Sequence, residues 1–213
     1  MIAPRGKFIS LEGGEGAGKS TLLAGLRGYI ERHGIALVQT REPGGTTVGE
    51  AVRAIVLDPE QRGLAAETEL LLMFASRAQL VREVIGPALC AGHWVLCDRY
   101  ADASYAYQGG GRGQPLTRIA ELERWACAGV QPDLTLLLDV PVAIGRARAA
   151  GRGDADRIEV EADGFFERVR ATYRERAAAE PQRFRVIDAT QSPTAVLWAA
   201  TQALADLIAE TSA

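Results

Sequence analysis

Gly13-Gly14-Glu15-Gly16-Ala17-Gly18-Lys19-Ser20 satisfies G-x-x-x-x-G-K-[ST] at every fixed position. The residues before it, Phe8-Ile9-Ser10-Leu11, read as a strand, and the pattern from Ser20 to about Arg32 reads as a helix. Strand, glycine-rich turn and helix together form a phosphate cradle. Glycines let successive backbone N–H groups turn inward around an anion without Cβ clashes. The helix N-terminus adds unpaired donors and a partial positive charge. Lys19 can reach the outer phosphates of a nucleoside triphosphate, and the Ser20 hydroxyl can ligate Mg2+. The expected nucleotide contacts run from Gly13 to Thr21.

Outward from the cradle, short apolar runs alternate with helical patterns. Further strands are expected at Ala36–Gln39, Trp94–Cys97, Leu134–Leu138 and Phe184–Ile187. Most are unbroken apolar runs, which suits strands buried on both faces. Helices are expected at Thr47–Leu57, Ala65–Ala91, Thr117–Ala126, Val142–Ala149, Gly164–Ala179 and Thr194–Ile208. This alternation predicts an α/β fold of P-loop NTPase type: three α/β/α layers, with a five-stranded parallel sheet flanked by helices. One domain is expected over residues 1–213, with a lid at about 150–158. Two segments break the rhythm. Gln108–Pro115 holds so much glycine that a loop is expected, and Gly151–Arg157 reads as a charged, mobile turn.

Of the 213 residues, 47% are hydrophobic and 24% charged, as in a soluble globular protein, and the net charge is −3. That balance gives no broad basic field for a nucleic-acid partner. A substrate phosphate must be caught by locally placed arginines and amides. Cys90, Cys97 and Cys127 have neither disulfide-framework nor zinc spacing, so a reducing, cytoplasmic compartment is expected. No signal-peptide pattern follows Met1–Lys7, and no apolar run is long enough for a membrane span.

A P-loop alone leaves switch GTPases, motors and small-molecule kinases open. The guanine-reading N-K-x-D is missing, and motors usually need more chain. A kinase needs a second phosphate pocket facing the loop. Arg41-Glu42-Pro43-Gly44-Gly45-Thr46 follows the second strand and Asp98-Arg99-Tyr100 follows the third, both at the carboxyl edge of a parallel sheet. Asp98 stands where an acid would orient magnesium, with Asp139 at the next strand end as its competitor. Arg99 can place a planar fork of donors on a phosphate. Phe74 and Arg77 share a helix face, where a ring could stack on a base and an arginine could donate to a carbonyl. His33 and His93 read as ordinary surface residues.

These blocks together resemble the bacterial thymidylate kinases over nearly the whole chain. The resemblance rests on Glu12–Thr21, Thr40–Thr46, Leu72–Gln79, Asp98–Tyr100, Ala106–Gly113, Pro132–Thr135 and Asp156–Glu159, and Arg41–Thr46, Asp98–Tyr100 and Tyr107–Gly113 in this order are the specific blocks. The resemblance implies ATP- and Mg2+-dependent phosphorylation of dTMP to dTDP for dTTP synthesis, by a homodimer; the charge balance and the lack of a long apolar run argue against a nucleic-acid or membrane partner. It implies that Glu15 approaches the acceptor 3′-hydroxyl and that Arg99 grips the acceptor phosphate. Phe74 would stack on thymine, Arg77 would bond a thymine carbonyl, and Ser104 and Gln108 would help read the base. Tyr107 would crowd the 2′ position, and Glu42 would support the phosphate and magnesium end. The P-loop carries no arginine, while Arg146, Arg148, Arg152 and Arg157 cluster near the lid. That resembles the lid-arginine branch, with Arg152 and Arg157 as candidate contacts to the migrating phosphoryl. A UMP or CMP kinase and a slow P-loop switch are the competing readings.

Overall fold

The computed structural model describes residues 5–150 and 155–211. Its elements in order are β1 (Phe8–Gly13), α1 (Lys19–Arg32), β2 (Leu37–Arg41), α2 (Thr47–Leu57) and α3 (Ala66–Leu80). Helix α3 runs on through a π-helical turn, Val81–Ile85, into α4 (Gly86–Cys90). Then follow β3 (Trp94–Asp98), α5 (Ala101–Ser104), a second π-helical stretch at Tyr105–Gly111, α6 (Leu116–Cys127) and β4 (Leu134–Asp139). The chain continues with α7 (Val142–Ala149), α8 (Asp163–Ala179), β5 (Phe184–Asp188) and α9 (Pro193–Thr211).

All strand pairs are parallel, in the order β2-β3-β1-β4-β5. Successive strand residues point to opposite faces, which divides the core into layers. Ile9 and Leu11 of β1, Leu96 of β3 and Leu136 of β4 pack against Leu23, Leu26 and Ile30 of α1 and Ala200 and Leu204 of α9. On the other face Phe8, Val95 and Cys97 meet Leu80, Ile85 and Leu89, while Leu137 and Phe184 meet Phe165, Val169 and Tyr173. Burying a side chain such as Leu26 or Ile30 is worth roughly 1.5–3 kcal/mol. The central strand β1 is buried throughout. The edge strands β2 and β5 are half-open, so the expectation of strands covered on both faces holds for the middle of the sheet only.

The register brings the site together. Asp98 pairs with Leu11 on one side and Arg41 on the other, and Gly13 pairs with Leu138. The cradle, Arg41–Glu42 and Asp98–Arg99 therefore leave the sheet side by side at its carboxyl edge, where open α/β sheets bind ligands.

The expectation of a loop at Gln108–Pro115 is overturned for its first half. Tyr105–Gly111 is helical, closed by a bond from the Arg112 N–H to the Tyr107 carbonyl at 2.9 Å. The glycines serve close packing here. A Cβ on Gly110 would lie 2.2 Å from Thr172 Oγ1, and one on Gly111 would lie 2.4 Å from the Phe165 ring. Helix α8 can lie this near only because those side chains are missing.

Candidate active site

Helix α1 begins without a side-chain cap and without an acidic residue in its first turn. Gly18, in the left-handed region at φ 93°, turns the chain into it. The contrast with α2 is direct: there Thr46 Oγ1 accepts the Gly49 N–H at 2.9 Å, and Glu50 sits in the first turn. The N–H groups that open α1 are thus left for an anion. Lys19 folds back over the loop, its Nζ donating to the Gly13 and Gly14 carbonyls at 3.1 Å each. Burial and the Arg99 charge push its ammonium below the ordinary value, with Glu15, Asp98 and Glu12 pulling the other way.

The loop is backed by α7. Gly16 has φ +68°, and a Cβ there would lie 1.9 Å from the Gly145 carbonyl oxygen; one on Gly145 would lie 2.4 Å from the Glu15 oxygen. We expect Gly145→Ala to displace the loop and lower kcat/KM for ATP about 10-fold, since small misplacements cost heavily in positioned reactions. Steady-state kinetics check this, and a value within twofold of the parent contradicts it.

Arg99 has φ 71°, unusual for a residue with a side chain. Hydrogen bonds on both sides enforce it. Its own N–H donates to the Leu11 carbonyl at 2.9 Å, and the next N–H, of Tyr100, donates to Glu12 Oε1 at 2.7 Å. The guanidinium then reaches the cradle, donating to the Gly13 carbonyl at 2.9 Å and to Glu15 Oε1 at 2.7 Å. It stacks 4.7 Å over the Tyr107 ring, whose hydroxyl also donates to Glu15, at 3.0 Å.

Glu12 is wholly buried and accepts from the Tyr173 hydroxyl at 2.7 Å as well. Burial and the charge of Asp102 push its carboxyl up to about 8, against the pull of Tyr173 and Arg99. The folded chain therefore holds this proton more tightly than the unfolded one, whose ordinary value is 4.5. Glu12 thus costs the fold stability as pH rises from the unfolded value through the folded one. Glu12→Gln removes that cost. We expect the stability of the variant relative to the parent to improve between pH 5 and pH 9 by roughly 1–3 kcal/mol. Urea unfolding at the two pH values measures it, and a difference that ignores pH contradicts it.

A cavity of about 230 Å³ opens in front of these groups. Its walls include Glu15 to Ser20, Glu42, Asp98, Arg99, Tyr107 and Gln108. Asp98 Oδ1 is buried there with no hydrogen-bond partner, whereas its competitor Asp139 is committed to Arg170 through contacts of 2.7 and 3.0 Å. Phe74, Arg77 and Ser104 stand behind the wall. Arg77 is fully buried, stacked 4.5 Å over Phe74, and donates to Glu42 Oε2 (2.7 Å), Ser104 Oγ (3.0 Å) and the Tyr100 carbonyl (3.1 Å). Burial raises the Glu42 carboxyl, with Arg77 opposing, and its Oε1 has no partner. Arg157 faces away from the cavity: it donates to the Val56 carbonyl at 2.7 Å and pairs with Glu69. Arg152 lies outside the described residues.

The structure adds wall residues to which the sequence assigned no role. Arg53 of α2 lines the cavity and donates to the Pro43 carbonyl at 3.1 Å; Arg41, Met73, Asp156 and Glu159 line it too. Arg53 lies seven residues past Thr46 on an ordinary helical pattern, which gave no sequence signal. A second cavity, of about 510 Å³, lies on the other side of the loop. It shares Gly16, Ala17 and Gly18 with the first and adds Thr21, Arg148, Gln191, Thr194 and Leu197. Arg148 is aimed there by a bond from Nη1 to the Ala189 carbonyl at 2.7 Å.

A sequence profile of the thymidylate kinase family matches residues 11–198. The thymidylate kinase of Alkalilimnicola ehrlichii is 56% identical over 205 residues, covering 96% of this chain and 94% of that protein. That of Pseudomonas putida is 55% identical over 191 residues, covering 90% and 91%. The crystal structure of thymidylate kinase from Ehrlichia chaffeensis superposes with a TM-score of 0.77 at 32% identity, over 94% of this chain and 99% of that one. With matches this extensive in sequence and in fold, the chain belongs to the thymidylate kinase family.

Proposed function

We propose that this enzyme transfers the γ-phosphoryl group of ATP to the phosphate of dTMP, giving dTDP and ADP. The observation that carries the reading is that one glycine loop walls two cavities, one of them holding Arg99. ATP spans the loop, with its base and ribose in the larger cavity beside Arg148 and its phosphates on the N–H groups that open α1. The monophosphate enters the smaller cavity, its phosphate toward Arg99 and Arg53 and its base toward Gln108, with Arg77 and Phe74 beyond. Glu15 and Tyr107 border the sugar.

The acceptor is a phosphate monoester, ionised at neutral pH, so no strong general base is needed. Positioning and charge neutralisation dominate such transfers. Lys19 and Arg99 screen the repulsion between donor and acceptor and hold the reacting oxygens in line. Ser20 and the partnerless Asp98 Oδ1 suit Mg2+, which takes few protein ligands and keeps phosphate and water oxygens around it. An ion held there would supply positive charge to neutralise the donor phosphates. The segment at 150–158 acts as a lid, rooted by Arg157 on Glu69 and Val56.

Val48 and Ile55 share one face of α2 and stay exposed, as does Leu71 of the neighbouring α3. They support a homodimer through these helices, which sedimentation of the parent and of Leu71→Glu tests. Three unpaired thiols support a reducing, cytoplasmic setting. No helix among the described residues is long and apolar enough to cross a membrane. The activity itself is tested by product analysis with ATP, Mg2+ and dTMP, UMP or CMP. Formation of dTDP, abolished by EDTA, is expected; release of free phosphate without dTDP overturns the reading.

A further inference from the structure

We propose that Glu69 decides which atom of Gln108 faces the bound base, and so restricts the site to bases that donate an N–H there. The inference rests on the reading of Gln108 as a base contact. Gln108 is fully buried and lines the smaller cavity. Its Nε2 donates to Glu69 Oε1 at 2.9 Å, while its Oε1 has no partner. An amide offers donors on one side and an acceptor on the other, and a carboxylate only accepts. Facing Glu69, the amide has one favourable orientation, which leaves oxygen for the ligand. Thymine and uracil carry an N–H at N3 and can satisfy it. Cytosine presents a lone pair at N3, so two acceptors would meet in a dry site.

Glu69 is itself held firmly. It is buried on α3, and its Oε2 pairs with Arg157 and accepts from Arg112 Nε at 3.2 Å. Burial pushes its carboxyl up, but the bonds from Gln108 and Arg157 and the Arg112 charge outweigh this and leave it below the ordinary value. It is therefore a carboxylate at neutral pH and has no proton with which to meet Gln108 the other way round. The same residue joins the root of the lid to the wall that meets the base.

The test compares kcat/KM for dTMP and dCMP in the parent, Glu69→Gln, Glu69→Asp and Gln108→Leu. An amide at position 69 can donate as well as accept, so Gln108 is free to turn. Glu69→Gln is expected to raise the dCMP-to-dTMP ratio at least about 10-fold, whereas Glu69→Asp, which keeps the charge, leaves it within about threefold. Equal losses on both substrates in Glu69→Gln would mean a purely structural role and overturn the proposal. If Gln108→Leu changes neither substrate, the reading of Gln108 fails instead. Should Glu69→Gln not fold, NMR of the parent decides. A Gln108 side-chain N–H shifted by the carboxylate must keep that shift when dTMP binds, and its loss on binding overturns the proposal.

Discussion

Arg99→Ala is expected to lower kcat for dTMP phosphorylation at least about 100-fold, the scale of a lost donor to developing charge. Three features make this residue hard to replace. Its left-handed backbone is enforced by the bonds to Leu11 and Glu12, so the guanidinium is delivered to one place. It bridges the cradle and Glu15, at 2.9 and 2.7 Å. It is also a planar fork, able to hold two oxygens at once. Alanine removes the cation and leaves Glu15 facing an incoming phosphate uncompensated. Arg99→Lys restores charge without the fork and should recover only part of the rate. Steady-state assays at saturating ATP decide it, and an Arg99→Ala kcat within tenfold of the parent would refute the role.

Lys19→Met carries the other large effect. Its Nζ rests on two loop carbonyls, and in the proposed reaction it is the cation that meets the outer phosphates of the triphosphate. Methionine fills similar space without charge, so kcat should fall about 1,000-fold, as expected for removing a main counter-charge of phosphoryl transfer. Stability should move the other way or stay level, because burial already opposes the ammonium. Thermal unfolding beside kinetics separates the two. A comparable loss of stability would point to a structural lysine, and a modest loss of rate would remove it from the mechanism.

Much of this fold can be read from the chain because apolar runs and glycine punctuation follow backbone geometry directly. The buried strand ending in Gly13, the cradle and the strand-end Asp98 all announce themselves locally. Tyr105–Gly111 does not, because its helical form depends on α8 approaching glycines whose missing side chains give no local signal. Arg53 lies in an ordinary amphipathic helix, and only the packing of α2 brings it to the cavity. Family likeness puts Phe74 and Arg77 on the base. The structure sets them one layer back, with Arg77 tied to Glu42 and Ser104. Glu12 and Glu69 are acidic residues whose importance appears only with the partners that surround them.

Most directly decisive is a crystal structure of the enzyme with ADP, Mg2+ and dTMP. The nucleoside diphosphate should lie with its β-phosphate on the N–H groups that open α1, and the dTMP phosphate should fall within hydrogen-bonding distance of the Arg99 guanidinium. A dTMP phosphate bound beyond that arginine's reach, on either side of the loop, would contradict the account.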